Sequence, residues 1–325
     1  MRVGVIGPLG GDELAENVAD SLGRMGVEVI RLGPAHPSRR NGYLKAGTML
    51  VRAAIPRLDE RSQRDIARSA LNAHCDVVIN SDVRLLPEIV AQIRRGGARV
   101  ALWYTDGVSL LGRQLMFLSP YDALFFKEPH IVERVAANLD LPAYYLPEAC
   151  NPRWHRPLGP AGTEPHLVIA GTMYPIRVRL LERLLAKGIP LRLYGAGVPA
   201  WIGDTPIRAV HTGRHLIREE KAKVFRSAAG VLNTINDVQG VNARLFEATG
   251  SGAAVLSEFR PALPDLFSIG SQILAYRDFD ELVDQATRLL NEAGLAGRLG
   301  DAASRRAHAE HSYDKRMTTI LETLA

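Results

Sequence analysis

Short apolar runs of strand length alternate with longer helical patterns from one end of the chain to the other. In the first half the runs fall at residues 3–6, 27–32, 77–80, 99–104, 123–126 and 143–146. This alternation predicts βαβ units built around a parallel sheet. Between the first two runs, residues 12–25 place Leu14, Val18 and Leu22 at four-residue spacing, the pattern of an amphipathic helix. The first half therefore reads as a Rossmann-like unit.

Residues 147–165 interrupt the pattern with five prolines and two glycines and no periodicity, as an interdomain linker does. The alternation then restarts. Runs at 167–170, 191–194, 230–233 and 253–257 are interleaved with helical stretches at 176–187, 218–227 and 242–250. Two or three helices follow from Phe279, the last over residues 313–324. The expected architecture is α/β, two facing Rossmann-like domains, at 1–155 and 156–325. In open α/β folds ligands bind at the carboxyl ends of the strands, so two such domains are expected to share a cleft suited to joining two substrates.

Composition supports this picture and narrows the function. A chain of 325 residues is about right for two domains of roughly 150 residues. Its 46% hydrophobic and 23% charged residues are those of an ordinary globular protein. The net charge of +5 is carried mainly by arginines spread along the chain, and aromatics are only 6%, so a nucleic-acid partner is not expected. The same charge suits anionic lipid headgroups, which admits peripheral membrane contact. No apolar run approaches the roughly 20 residues of a membrane span. Cys75 and Cys150, the only cysteines, match neither a disulfide framework nor a zinc site. With no signal-peptide pattern before the first strand, the expected setting is cytoplasmic.

Three segments carry candidate chemistry. Gly7-Pro8-Leu9-Gly10-Gly11-Asp12-Glu13 joins a strand to a helix, where glycines let backbone amides approach a ligand at the positive helix end. It reads equally as a tight turn, and it lacks the G-x-G-x-x-G spacing of a dinucleotide site. Gly171-Thr172-Met173-Tyr174-Pro175-Ile176-Arg177 has the same placement. An arginine at a helix start suits a pyrophosphate, since its planar fork can hold two phosphate oxygens; a solvated surface arginine is the plain alternative. Tyr194-Gly195-Ala196-Gly197 closes the next strand and offers either a nucleotide contact or a turn. The third segment holds Asn233, Asn236 and Asp237, then Gln239-Gly240-Val241-Asn242-Ala243-Arg244-Leu245-Phe246-Glu247-Ala248. Asn242 is placed to cap the helix. Glu247 could accept hydrogen bonds from both hydroxyls of a ribose, or pair with Arg244 three residues earlier in a purely structural contact.

In the first domain, Trp103-Tyr104-Thr105-Asp106 ends a strand. Asp106 is a candidate general base if an acceptor hydroxyl comes within hydrogen-bond reach, and otherwise a turn-capping carboxylate. His36, His74 and His130 are weaker candidates. No His, Cys or Asp grouping has metal-ligand spacing, so no metal and no other cofactor is expected.

Residues 146–325 resemble the CgeB-like family of GT-B glycosyltransferases, named for spore maturation. The resemblance rests on Leu146-Pro147-Glu148-Ala149-Cys150-Asn151-Pro152, His155-Arg156-Pro157, Gly171-Thr172-Met173-Tyr174, the segment Asn242 to Ala248 with Gly252, and His311-Ser312-Tyr313-Asp314-Lys315-Arg316. It implies a glycosyltransferase that takes a nucleotide-diphosphate sugar as donor and a small-molecule or glycan hydroxyl as acceptor. The final helix is then expected to return to the first domain. The first half resembles the broader group of GT-B glycosyltransferases in outline, through Gly10-Gly11-Asp12-Glu13-Leu14-Ala15, a helix and Gly26-Val27-Glu28-Val29. This likeness implies that Gly10, Gly11 and Asp12 lie against the acceptor or the transferred sugar.

Arg177 matches the basic residue that contacts the donor pyrophosphate. The basic residue beside the glycine is replaced by Thr172, for which Lys221, Lys223 or Arg214 could substitute. Glu247 matches the ribose-holding member of a carboxylate pair whose other member is Gln239 here, so the stereochemical outcome is left open. The expected donor set is thus Gly171, Thr172, Arg177, Gly195, Gln239, Gly240, Asn242, Arg244 and Glu247, with Asp106 and Arg177 catalytic. Without a metal, the leaving diphosphate must be stabilised by cationic side chains and a helix dipole. A nucleotide-sugar epimerase of the same architecture, and a catalytically silent nucleotide-sugar-binding partner protein, are the rival readings. No motif specifies an oligomeric state. Alanine at Glu247 or Arg177 is expected to weaken donor binding with the fold intact.

Overall fold

The structure is a computed structural model and describes residues 1–35, 56–108, 111, 114–234 and 240–325. The chain divides into two compact units, Met1–Pro147 with Tyr313–Ala325, and Glu148–Ser312.

The first unit runs β1 (Arg2–Ile6), α1 (Leu14–Arg24), β2 (Glu28–Gly33), α2 (Pro56–Asn72), β3 (Val77–Asn80), α3 (Pro87–Arg95), β4 (Arg99–Tyr104), β5 (Ala123–Phe126), α4 (Pro129–Leu139) and β6 (Ala143–Tyr145). Its strands form one sheet in the order β2-β1-β3-β4-β5-β6, every pair parallel. Apart from the terminal Asn80 and the exposed Arg99, the central strands β3, β4 and β5 are apolar because helices cover both faces of such a sheet, and those apolar side chains are buried. Register Trp103↔Phe125 places two of the largest core side chains on neighbouring strands.

The last helix, α10 (Tyr313–Leu324), belongs to this first unit. The Tyr313 ring meets Trp103 edge-on at 5.7 Å between centroids. Ser21 on α1 donates a hydrogen bond to Asp314 at 2.6 Å, and the Arg316 guanidinium donates to the Pro147 carbonyl at 2.8 Å. The return of the final helix to the first domain is therefore present in the fold.

The second unit runs β7 (Glu164–Ala170), α5 (Pro175–Ala186), β8 (Leu191–Tyr194), α6 (Arg218–Ser227), β9 (Ala228–Asn233), α7 (Ala243–Gly250), β10 (Val255–Glu258), β11 (Leu274–Tyr276), α8 (Phe279–Asn291) and α9 (Leu295–Glu310), with single helical turns at Ile207–Val210 and Leu263–Leu266. Its parallel sheet has the order β11-β10-β9-β7-β8. The chain passes from one unit to the other at Pro147, at the head of the proline-rich stretch. Beyond it Cys150, Asn151, Trp154 and His155 are buried in the second unit. Among the described residues no helix is long and apolar enough to cross a membrane.

The turn from α7 to β10 is pressed against α9. A Cβ added at Gly300 would lie 2.1 Å from the Gly252 carbonyl oxygen. Alanine would gain roughly 1 kcal/mol of helix propensity over glycine, but backbone cannot yield as a flexible side chain would. Overpacking of this kind costs about 1–3 kcal/mol, so Gly300→Ala is expected to lower the denaturant midpoint. An unchanged midpoint would contradict the close approach.

Candidate functional site

The site is assembled within the second unit, at the carboxyl ends of β7, β8 and β9. Two glycines let the backbone of β7 and β8 converge there. Gly171 has φ +139° and Gly195 has φ +124°, conformations that disfavour a side chain. A Cβ on Gly195 would lie 2.6 Å from the Gly171 oxygen. The Gly171 amide donates to the Tyr194 carbonyl at 2.9 Å, and the Gly195 amide to the Arg214 carbonyl at 2.8 Å.

Arg177 is the third residue of α5, whose first residue is Pro175, a residue suited to that position because its missing N–H is one the helix leaves unpaired. The Arg177 side chain folds back over the helix start. Its Nε donates to Thr234 Oγ1 at 2.8 Å, just beyond β9, and its Nη atoms donate to the carbonyls of Thr172 and Thr234. Thr172 itself is exposed and contributes only that carbonyl. Arg244, on α7, reaches the same place: a Cβ on Gly171 would stand 3.2 Å from Arg177 Nη1 and 3.8 Å from Arg244 Nη2. Burial, and then the like charge of Arg244, push the Arg177 pKa below its ordinary value. Every hydrogen bond of Arg177 to a described residue ends on a neutral oxygen, so its charge is uncompensated by a carboxylate there.

Glu247 lies one turn after Arg244 on α7 and is 6% exposed. Lys221 of α6, itself 4% exposed, donates to Glu247 Oε1 at 2.8 Å, and Arg244 Nη1 donates to Oε2 at 3.0 Å. Burial alone would raise the Glu247 carboxyl. Lys221, Arg244 and, more weakly, His155 outweigh it and hold the group well below the usual carboxylate range. The pairing with Arg244 read from the sequence is thus present, but the closer partner is Lys221. That lysine is committed to Glu247, Arg214 pairs with Glu220, and Lys223 is exposed. The second cation beside Arg177 is Arg244.

Asn242 stands at the N-cap of α7 with the extended backbone a cap needs, yet its side chain makes no capping hydrogen bond. Instead Oδ1 is buried without a partner among the described residues, an arrangement that leaves an acceptor for a ligand donor. Gly240 is buried beside it. Gln239, Asn236, Asp237 and His36 lie outside the described residues.

In the first unit, Asp106 is exposed just past the end of β4. Gly10 and Gly11 take φ +101° and +57°, and the Gly10 amide donates to Glu16 at 3.2 Å. The Asp12 carbonyl accepts from Asn17 at 3.1 Å. His74 and His130 are exposed.

Residues 177–322, which include Arg177, Lys221, Arg244 and Glu247, match the model of a family described as glycosyl transferase-like. No protein of curated function matches the chain in sequence. Solved structures align over its whole length. Sucrose-phosphate synthase from Thermosynechococcus elongatus is 15% identical over 99% of this chain and 98% of its own, with a TM-score of 0.65. AviGT4, a glycosyltransferase involved in avilamycin A biosynthesis, is 17% identical over 99% and 96%, with a TM-score of 0.64. HepE from Anabaena, solved in complex with UDP and glucose, is 9% identical over 100% of both chains, with a TM-score of 0.63. At these identities the likeness speaks for architecture: the chain has the α/β GT-B fold of these glycosyltransferase structures.

Proposed function

We propose that the protein is a glycosyltransferase of the CgeB-like kind, moving a sugar from a nucleotide-diphosphate donor to an acceptor hydroxyl without a metal ion. Sugar transfer is supported by the glycosyl transferase-like match and by the GT-B neighbours, one of which holds UDP and glucose. The observation that carries the donor site is the pair of guanidiniums, Arg177 and Arg244, gathered over a side-chain-free Gly171 at the start of α5. Two like charges held together, one of them partly desolvated, are relieved by an anion that accepts from both.

In this reading the diphosphate lies against Arg177, Arg244 and the amino end of α5. The ribose hydroxyls donate to Glu247, which its two cations keep ionised. The backbone near Gly195 faces the nucleoside, and Gly240 and Asn242 border the sugar. As the glycosidic bond to the diphosphate breaks, negative charge grows on the leaving oxygen, and the fixed guanidiniums stabilise it. The acceptor falls to the first unit, with Gly10, Gly11 and Asp12 against it and Asp106 taking the proton of its hydroxyl.

Arg177→Gln keeps a side chain able to reach Thr234 but removes the charge. A hydrogen bond to a charged group is worth about 1.5–3 kcal/mol, so nucleoside diphosphate affinity is expected to fall roughly tenfold or more. Isothermal titration of both proteins with UDP, GDP and ADP reads this directly. Equal affinity in the variant would remove Arg177 from the donor site.

A further inference from the structure

A second concavity of the second unit lies at the carboxyl ends of β10 and β11, on the other side of β9 from β8. Its volume is about 370 Å³, near the lower end for small-molecule sites, which run to about 1,000 Å³. Arg177 and Thr234 line one part of it, so it adjoins the proposed diphosphate position. Arg179 and Arg183 of α5, with Arg260 and Arg277, bring the arginines in its wall to five, against the two carboxylates of Glu258 and Asp278.

Both carboxylates already have donors. Asp278 caps α8, accepting from the Glu281 amide at 2.9 Å, and Glu258 pairs with Arg260 at 3.0 Å. Two of the arginines are held in place by rings: Arg183 stacks 3.6 Å above the centre of Phe279, and Arg277 4.1 Å above that of Phe259. Two donors in the wall remain unmatched. Arg260 Nε and the Tyr276 hydroxyl are buried with no hydrogen-bond partner among the described residues, and Tyr276 is only 4% exposed. Burial favours the neutral phenol, so the hydroxyl is a donor at neutral pH. Ordinary solvated surface arginines would not leave two buried donors unmatched, because such groups cost about 1–3 kcal/mol each.

We infer that this pocket binds an anionic oxygen group, a carboxylate or phosphate borne by a sugar-sized ligand, through Tyr276, Arg260 and the surrounding arginines. The inference rests on the donor reading above for its place beside the diphosphate. It makes the transferred sugar or its acceptor an acidic one. Arg260 and Tyr276 are then specificity-determining residues.

The test is titration calorimetry of the full chain with glucuronate, inorganic phosphate and glucose, and separately with UDP, GDP and ADP. Glucuronate or phosphate should bind about tenfold or more tightly than glucose, and Tyr276→Phe, which removes one hydroxyl, should erase about tenfold of that preference. Arg260→Gln should do the same. Nucleoside diphosphate affinity should be unchanged in Tyr276→Phe. Tighter binding of UDP-glucuronic acid than of UDP-glucose would place the anion on the donor sugar. Glucuronate binding undiminished by saturating UDP-glucose would place it on the acceptor. Equal binding of glucuronate and glucose, or an anion preference untouched by Tyr276→Phe, would overturn the inference. Anion binding without any nucleoside diphosphate binding would instead overturn the donor site and leave this pocket standing.

Discussion

Glu247→Ala should unfold far more readily than the parent protein, losing about 3–5 kcal/mol of stability in addition to its hold on a ribose. The reason is Lys221. Its ammonium is buried against Glu247 Oε1 at 2.8 Å, and alanine would take this carboxylate away from a charge that stays buried. That contact turns the expectation from sequence, that this variant keeps the fold intact, into an expected loss of stability. A double variant separates the two effects. Glu247→Ala with Lys221→Met removes both charges and should recover most of the stability while nucleotide binding stays lost, because a buried pair exchanged for apolar groups is often near neutral. Recovery of binding in the double variant would show that Glu247 has no ligand role. The pH dependence has a defined sign. Glu247 is depressed in the fold from its ordinary 4.5, so its contribution is complete above that value. It is lost as the pH falls from there through the lower folded value.

Asp106→Asn should cut acceptor-dependent release of nucleoside diphosphate by roughly 10²–10⁴-fold, the range over which a positioned general base contributes. Asp106 is exposed at a strand end, so the exchange should leave the unfolding midpoint and nucleotide affinity where they were. The measurement is nucleoside diphosphate release from a sugar nucleotide, with and without small-molecule and glycan acceptors. Full acceptor-dependent release by the variant would pass the base role to another residue.

The parts of the fold legible in the sequence are those where local composition and burial agree. Residues 77–80, 99–104, 123–126 and 191–194 are short apolar runs, and each is a strand over those same residues. The helices of 218–227 and 313–324 are likewise bounded as the pattern suggests. Strand β11 has only three residues and is held by pairing with β10 rather than by its own pattern, so periodicity does not reveal it. Asn242 shows the limit of cap reasoning: the backbone takes the cap conformation while the side chain does not bond.

At the site, sequence singles out Arg177, Arg244 and Glu247 because each has a fixed place at a helix start or on a helix face. It cannot find the Lys221 contact, since 26 residues and a strand separate the partners. Nor does it show the arginine-lined pocket, whose wall comes from the carboxyl ends of β9, β10 and β11, from α5 between Ile176 and Arg183, and from the start of α8. Only the tertiary fold brings those residues together.

The central claim, a metal-independent nucleotide-sugar site built on Arg177, Arg244 and Glu247, is tested most directly by thermal unfolding of the full chain. UDP, GDP, dTDP, CDP and ADP and their common sugars are titrated with and without EDTA. Stabilisation by one nucleotide family, equal in both conditions, is the predicted result. A folded protein that none of them stabilises, or whose stabilisation disappears with EDTA, would contradict it.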